Sequence, residues 1–330
     1  MDLHGDVIVV GAGVVGLTTA VRLLERGLEV VIVADTLHPN TTSDVAAGLW
    51  YPYKAGGKRI ATWALESLAA YRSLTAVEGA GVRFVTCRSY VPADEPRPFW
   101  AEVDVEYRER TVRHPVNGSP ARLIEAVLPV AQSAVHMPWL ESRVTLLGGS
   151  IRLLARPLAE LSLIDARVIV NCSGLGARKL CRDQSVVPVR GAVVRMSGTG
   201  IDECITDDID PDHPTYIIPG SGFCVLGGSA EADRWDMPVS EEEAQDIVDR
   251  CARLDSRVRS GTVIGVAAGL RPWRPEVRLE LEYLDSGRPV VHNYGHGGSG
   301  FTLAWGCADE AADVVTRAQW SPAGEPARRS

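Results

Sequence analysis

Three glycines near the start of the chain have the spacing of a phosphate-binding turn. Gly11, Gly13 and Gly16 follow a short run of apolar, β-branched residues and precede an amphipathic segment. In such a turn the first glycine allows a sharp reversal, the second lets the backbone approach a pyrophosphate, and the third lets helix and strand pack closely. The phosphates would then face the free N–H groups and the positive dipole end of the helix.

The elements on either side of this turn support the same interpretation. The apolar run 6–10 predicts a strand, and apolar residues at 17, 20, 21, 23 and 24 predict a helix that ends at Gly27. A second apolar run, 29–33, leads to Asp35, which lies 19 residues after Gly16, where a carboxylate can bind a ribose. This β-α-β unit predicts a dinucleotide site. The alternative is a glycine-rich surface turn, and the motif alone does not distinguish NAD from FAD.

The composition limits the classes of function. The chain has 330 residues, of which 45% are hydrophobic and 23% charged, and its formal net charge is −8. This length is typical of about two domains. The negative charge argues against a nucleic-acid partner, which requires a basic face, and no apolar run reaches the roughly 18 residues of a membrane span. The 7 cysteines are irregularly spaced, which favours reduced thiols in a cytoplasmic protein over disulfides or a metal site.

Further strand and helix patterns lie in the middle and at the end of the chain. The apolar run 167–172 ends at a Ser-Gly pair, and the run 290–294 precedes a glycine-rich turn and a helix predicted from Phe301 to about Ala318. The acidic stretch 198–214 is predicted to be a solvated loop. We predict an α/β protein of mixed α+β character, in which a Rossmann-like dinucleotide-binding domain carries an inserted substrate-binding domain built on a mixed β-sheet. The dinucleotide domain would comprise 1–50, 134–190 and 285–330, and the substrate domain 51–133 and 191–284.

Several of these segments resemble one family, the FAD-dependent D-amino-acid oxidases. Residues 40–53 resemble the family's TTxDVAAGLWxPY segment, and residues 214–220 and 269–280 resemble its YIIPG and GxRPxRPxxRLE pair. Residues 292–306 are similar to its carboxyl-terminal signature, HNYGHGGxGxTxxWG. The resemblance implies non-covalent FAD and the oxidative deamination of D-amino acids by O2, which yields 2-oxo acids, ammonia and hydrogen peroxide.

The resemblance also assigns residues to the cofactor. Where a chain crosses the flat flavin ring, small residues let the backbone lie against it, and the helix that begins near Phe301 would direct its positive end at the flavin. The predicted FAD contacts are Gly11, Ala12, Gly13, Val14, Val15, Gly16, Asp35, Thr41, Thr42, Ser43, Ala47, Gly48, Leu49, Val168, Ser173, Gly297, Gly298, Ser299, Gly300, Phe301 and Thr302.

A second group of residues is assigned to the substrate. A guanidinium is the side chain best suited to clamp an α-carboxylate. Gly269 and Pro272 on either side of Arg271 predict a stiff turn that fixes its backbone. In the family, the positions of Arg271 and Tyr216 bind that carboxylate, and the carbonyl oxygen at the position of Gly298 accepts from the amine.

The resemblance implies hydride transfer from the substrate Cα to flavin N5, which requires positioning but no catalytic acid or base if the amine arrives neutral. We therefore predict no acid–base residue. His296 is predicted to be a buried structural histidine beside the flavin. Arg274 and Arg278 are predicted to form structural ion pairs.

The chain departs from the family around the substrate pocket. Asp212 stands where animal members carry a second lid tyrosine, and Tyr51 replaces a frequent glutamine. Tyr53 and Ile205 are predicted to line the pocket, and Ile205 stands at what looks like the position that is basic in D-aspartate oxidases. Because the wall would be apolar and the loop over it acidic, we predict that neutral, apolar D-amino acids are preferred, that basic ones are tolerated, and that D-Asp and D-Glu are poor substrates.

Three alternatives stay open at this point. The first is a related oxidase for glycine, a secondary amine or a D-aspartate-type acid. The second is an NAD(P)-dependent dehydrogenase, which the carboxyl-terminal signature disfavours. The third is a flavin-binding protein without turnover. Family members are often homodimers, so the resemblance also implies a homodimer.

Overall fold

The computed structural model describes residues 4–52, 56–103, 105–210 and 213–320. In this part of the chain a single 14-stranded sheet carries helices on its faces. The strands are β1 (His4–Val10), β2 (Val30–Ala34), β3 (Val82–Pro92), β4 (Tyr107–Arg113), β5 (Pro120–Ala131), β6 (Ser150–Leu153), β7 (Asp165–Asn171), β8 (Val187–Ser197), β9 (Cys204–Asp207), β10 (Thr215–Pro219), β11 (Phe223–Gly227), β12 (Glu231–Ala232), β13 (Thr262–Tyr283) and β14 (Pro289–His296). The α-helices are α1 (Val14–Glu25), α2 (Thr42–Val45), α3 (Ile60–Leu74), α4 (Ser133–Leu146), α5 (Ala177–Leu180), α6 (Glu241–Leu254) and α7 (Gly300–Trp320).

One end of the sheet has the parallel arrangement that the sequence predicts. Its strands follow the order β14-β7-β1-β2-β6, and each neighbouring pair is parallel. Val7 and Val9 of β1 belong to the same hydrophobic cluster as α1 and α7, whereas Ile8 and Val10 belong to a separate cluster. A parallel strand covered on both faces requires such an unbroken apolar run. The predicted β-α-β unit is therefore confirmed.

The long strand β13 connects this parallel part to the rest of the sheet. It pairs antiparallel with β14 on one side and with β8 on the other. Beyond β8 the order is β11-β10-β9-β3-β5-β4, in which β3 and β9 are parallel and the other pairs antiparallel. This mixed sheet confirms the predicted fold class. Because one sheet runs through both parts, the division of the chain into two domains stays a prediction.

The prediction of a solvated loop over 198–214 is wrong at its centre. β9 lies inside this stretch, between β3 and β10, and Cys204 and Ile205 are buried. The strand is only four residues long and has acidic residues on both sides, so its composition resembles that of a loop. Pairing on both sides decides the conformation in such a segment.

The core contains a histidine that should make stability depend on pH. His136 of α4 is fully buried, and its Nδ1 lies 2.7 Å from the carbonyl oxygen of Ala80, to which Nδ1–H donates. Burial lowers the pKa of His136 to about 4, whereas an unfolded histidine takes up its proton near pH 6.5. The stabilisation is therefore complete above about pH 6.5 and declines as the pH falls towards the folded pKa.

The free energy of unfolding of the wild type should fall between pH 7 and pH 5. We expect this fall to be smaller by about 2 kcal/mol in His136→Gln. Urea unfolding at both pH values measures this difference. The matched control is His213→Gln, since the side chain of His213 is 65% exposed. Equal pH dependence in the wild type and in His136→Gln would show that His136 protonates equally well in the folded and unfolded chain.

Candidate active site

Two connected clefts open at the ends of the parallel strands. The first cleft has a volume of about 350 Å³ and follows the turn after β1, the segment 40–46, the loop after β7 and the turn before α7. The second cleft, of about 430 Å³, lies over the mixed part of the sheet. Six residues line both clefts and so mark the junction between them, namely Ala46, Tyr216, Arg271, Gly297, Gly298 and Phe301.

The three glycines of the first turn have three different surroundings. A Cβ on Gly11 would lie 2.5 Å from the carbonyl oxygen of Cys172, and its φ of +109° is unfavourable for other residues. A Cβ on Gly16 would lie 2.0 Å from the carbonyl oxygen of Gly11, so Gly16 permits close packing inside the protein. A Cβ on Gly13 would meet only the Ser43 Oγ, at 3.2 Å. Gly13 therefore keeps the cleft open at the N-terminus of α1.

Polar groups surround this N-terminus. The amide of Val14 donates to Ser43 Oγ at 3.0 Å. Thr41 is the N-cap residue of the short helix α2. Its amide and hydroxyl both donate to Asp44 Oδ2, at 2.9 and 2.6 Å. Asp35, at the end of β2, also lines the first cleft. The cleft thus offers the positive N-terminal end of α1 to an anion, and the carboxylate of Asp35 to a hydroxyl group.

The FAD contacts that the sequence predicts divide into those on the cleft walls and those beneath them. The residues on the walls of the first cleft are Gly11, Ala12, Gly13, Val14, Val15, Asp35, Thr41, Thr42, Ser43, Ser173, Gly297, Gly298, Gly300 and Phe301. The residues on the walls of the second cleft are Ala47, Gly48, Leu49, Gly297, Gly298 and Phe301.

Four predicted contacts, including Gly16, do not line either cleft. Val168 is fully buried in β7 opposite Val7, because it lies three residues before the end of a strand that is covered on both faces. Ser299 is fully buried in the turn before α7. Thr302 Oγ1 donates to the carbonyl of Tyr51 at 3.0 Å and accepts from its amide at 3.1 Å. These four residues lie beneath the residues that line the clefts and pack against them.

The loop after β7 supplies wall residues that sequence analysis missed. Cys172, Gly174, Leu175 and Gly176 line the first cleft beside Ser173. In parallel sheets ligands bind at the carboxyl ends of strands. The apolar run 167–172 ends just before Ser173, and this end marks the loop as the place where a ligand binds. Val168 lies inside the strand and therefore away from that end.

Arg271 lies within strand β13 and not in the predicted turn. Its side chain and that of Tyr216 both lie over glycines at the junction of the clefts. The guanidinium of Arg271 lies across Gly191 of β8, where a Cβ would be 2.1 Å from Nη1, and Nη1 donates to the carbonyl of Ser229 at 2.8 Å. The ring of Tyr216 lies across Gly227 of β11, where a Cβ would be 1.9 Å from Cζ. β8 and β11 are adjacent strands. The sheet thus brings a guanidinium and a phenol to neighbouring points at the edge of both clefts.

The two other arginines of the same segment have structural roles, as predicted. Arg274 Nε lies 3.0 Å from Asp183 Oδ2. Arg278 forms ion pairs with Glu280 at 2.6 Å and with Glu282 at 2.7 Å. Neither arginine lines a cleft. The prediction that both form structural ion pairs is confirmed.

The side wall of the second cleft differs from the predicted one. Ile205 is buried in a separate hydrophobic cluster, and the next residue, Thr206, lines the cleft instead. Alternate residues of a strand face opposite sides of the sheet, so a shift of one position exchanges the two faces. The assignment of Ile205 to the pocket is corrected in this way. Tyr53 lies outside the described residues.

Tyr51 and Asp208 also line the second cleft. The Tyr51 hydroxyl donates to Asp208 Oδ2 at 3.2 Å. Burial and the adjacent Asp208 carboxylate hold the pKa of Tyr51 well above its usual value. The phenol therefore stays protonated and remains a donor to Asp208.

Two buried side chains lie behind the turn that precedes α7. His296 lines the first cleft, and burial lowers its pKa to about 4, so its ring is neutral near pH 7. Within the described part of the chain, His296 Nε2 and Asn293 Oδ1 are buried without a hydrogen-bond partner. Unsatisfied polar atoms are costly, and in a cleft their presence fits a site that a polar ligand completes.

The described residues were also compared with two further kinds of feature, a helix that could cross a membrane and a cluster of metal-binding side chains. No helix there is long and apolar enough to cross a membrane. In the same ranges, no three side chains of His, Cys, Asp or Glu are grouped so that they could hold a metal ion.

Comparisons with known proteins agree with this arrangement. The family model described as FAD dependent oxidoreductase (DAO) matches residues 6–314. The chain is 42% identical over 310 residues to a D-amino-acid oxidase of Rubrobacter xylanophilus, and this alignment covers 93% of this chain and 95% of that protein. It is also 42% identical over 318 residues to a D-amino-acid oxidase of Streptomyces coelicolor, and this alignment covers 96% of this chain and 98% of that protein. The fold is similar to that of glycine oxidase from Geobacillus kaustophilus, with a TM-score of 0.80 and 19% identity over 95% of each chain.

Proposed function

The chain belongs to this family of FAD-dependent oxidoreductases, that of the D-amino-acid oxidases, and we propose that D-amino acids are oxidised where its two clefts meet. The products are 2-oxo acids, ammonia and hydrogen peroxide. The observation that carries this proposal is the convergence of Arg271 and Tyr216 over Gly191 and Gly227, at the edge of a dinucleotide cleft. Such a pair fits the α-carboxylate of an amino acid.

The residues of the first cleft fit FAD. We propose that the turn at Gly13, the amides of α1 and Ser43 hold the pyrophosphate, and that Asp35 binds the adenosine ribose. The turn at Gly297 and Gly298 would lie against the ring, because it presents backbone without side chains. When bound, FAD supplies the two-electron acceptor for the oxidation at Cα and is reoxidised by O2.

The protein contributes position and charge. Arg271 and Tyr216 fix the carboxylate, and the carbonyl of Gly298, which is an exposed residue, accepts from the amine. Two fixed points leave one direction for the side chain, and the second cleft is the space available to it. The N-terminus of α7 adds a positive dipole end at Gly300 and Phe301, which favours negative charge that develops in front of it.

No side chain of the cleft is needed to take a proton if the amine arrives neutral. His296 is the histidine that lines the first cleft, and its burial keeps it neutral at working pH. We propose a structural role for it, as the sequence predicts.

Gly191→Ala should weaken substrate binding without loss of FAD. A Cβ there would overlap the guanidinium of Arg271, which would have to leave its place beside Ser229. Because a charge-assisted contact contributes about 1.5–3 kcal/mol, we expect KM for any D-amino acid to rise about tenfold or more. Steady-state kinetics and the bound FAD content measure both effects. Gly265→Ala on β13 is the matched control, because no atom lies within 4 Å of its Cβ, and an unchanged KM in Gly191→Ala would contradict the placement of Arg271.

The second cleft supports part of the predicted substrate ranking. The low rank of D-Asp and D-Glu keeps its basis, since Asp208 lines the wall and repels a second carboxylate. The predicted preference for apolar side chains loses Ile205, which is buried elsewhere. The apolar side chain of Leu49 lines the second cleft. We propose that neutral and basic D-amino acids are substrates and acidic ones are not.

A screen for peroxide tests the proposed function and separates the alternatives. Purified protein is assayed with D- and L-forms of neutral, basic and acidic amino acids, with glycine and with a secondary amine. We expect peroxide from neutral and basic D-amino acids. Activity confined to glycine, to secondary amines or to D-Asp would assign the chain to a related oxidase, and no activity at all would leave a flavin-binding protein without turnover.

We also propose a cytoplasmic homodimer. The 7 cysteines all lie in the described ranges and all are free, which suits a reducing compartment. The dimer rests on the family resemblance alone. Size-exclusion chromatography with light scattering tests it directly.

A further inference from the structure

The second cleft contains two charged side chains at different places on its wall. Among the described residues that line it, Arg271 and Asp208 are the charged ones. Arg271 is assigned to the α-carboxylate. The role of Asp208 in the same cleft is not explained by the reaction, which needs neither an acid nor a base there.

The position of Asp208 is defined by its strand and by Tyr51. Asp208 directly follows β9, and together with Thr206 it faces the cleft. The intervening Asp207 faces the other side of the sheet, where its Oδ2 lies 3.0 Å from His114 Nε2. The Tyr51 hydroxyl donates to Asp208 Oδ2, and this contact orients the carboxylate at the wall.

The distance from Arg271 decides which part of a substrate can reach Asp208. The Arg271 guanidinium lies over β8, beside the carbonyl of Ser229, which follows β11. The order of strands from β8 is β8-β11-β10-β9, so three strand spacings, about 14 Å, separate the strand beneath the Arg271 guanidinium from the strand that Asp208 follows. An α-amine next to a carboxylate held by Arg271 cannot span that distance, whereas a charge at the end of a long side chain can.

We propose that Asp208 is a specificity-determining residue that binds the cationic end of a long D-amino-acid side chain, such as that of D-lysine, D-ornithine or D-arginine. Tyr51 acts as a positioning residue for its carboxylate. This assignment rests on the proposed function, since it takes Arg271 as the anchor of the α-carboxylate. It revises the sequence-based ranking, because it places basic side chains at least level with apolar ones.

The balance of charge supports this choice of substrate. A cation that enters a partly closed cleft loses water, and a carboxylate on the wall offsets that loss. A long apolar side chain gains nothing from the same carboxylate. A substrate with an acidic side chain meets like charge in a medium that screens it less than water does.

The test compares D-lysine with D-norleucine, which matches the lysine carbon chain but ends in a methyl group. We expect kcat/KM for D-lysine to equal or exceed that for D-norleucine in the wild type, at one pH and one ionic strength. In Asp208→Asn the ratio of the two values should fall at least tenfold. Asp207→Asn is the matched control, because it removes a neighbouring carboxylate from the opposite face, and its ratio should stay at the wild-type value.

A second variant keeps the test decisive if Asp208→Asn does not fold. Tyr51→Phe removes the hydroxyl that orients Asp208, and we expect it to lower the same ratio at least threefold. A ratio that stays constant in the Asp208 or Tyr51 variant, or that falls equally in Asp207→Asn, would overturn the assignment while D-norleucine oxidation still upholds the proposed function. If neither substrate is oxidised by the wild type, the proposed function fails as well.

Discussion

Gly13→Val should give a folded protein that purifies without FAD. A Cβ at Gly13 would meet no backbone atom, and its nearest neighbour is Ser43 Oγ at 3.2 Å. The fold can therefore accept a side chain at this position. An isopropyl group would, however, occupy the space in front of the N-terminus of α1, where a pyrophosphate has to approach the amides. We expect the bound FAD to fall to near zero and all oxidase activity to disappear with it.

The measurement is the ratio of flavin absorbance to protein absorbance after purification, together with the unfolding temperature with and without added FAD. Gly265→Val is the matched control, because no atom lies within 4 Å of the Gly265 Cβ. That variant should keep its colour. Stoichiometric FAD in Gly13→Val would show that the turn after β1 does not bind the cofactor.

Arg271→Met should keep FAD and lose the substrate. Methionine fills much of the same space but cannot pair with a carboxylate. A charge-assisted hydrogen bond contributes about 1.5–3 kcal/mol, so KM should rise about 10- to 100-fold. The loss should be similar for every D-amino acid, because all share the α-carboxylate.

Steady-state kinetics on several D-amino acids measure this effect. Arg274→Met is the matched control, since Arg274 pairs with Asp183 and lines neither cleft. We expect it to affect stability more than KM. If Arg271→Met leaves both kcat and KM near the wild-type values, Arg271 is not the substrate anchor.

Local patterns were sufficient to predict the dinucleotide part of the fold. The turn at Gly11, the helix that follows it and the carboxylate of Asp35 lie within one β-α-β unit, whose apolar periodicity is visible in the sequence. The same holds for the turn before α7. These residues reach the cleft because a strand, its turn and its helix are consecutive in the chain.

Contacts between distant strands could not be predicted in this way. Thr206 and Ile205 differ by one position, and only the pairing of β9 with β3 and β10 decides which of them faces the cleft. Gly191 and Gly227 matter because side chains from other strands lie across them. Their role depends on the register of β8, β10, β11 and β13, which local sequence does not reveal.

We propose that this chain oxidises D-amino acids with FAD bound in its first cleft. The most direct test is to follow the flavin absorbance of the purified protein under anaerobic conditions while D-methionine or L-methionine is added. We predict that D-methionine bleaches the flavin, that L-methionine leaves it unchanged, and that air restores the colour with release of peroxide. A flavin that no D-amino acid bleaches would contradict the claim.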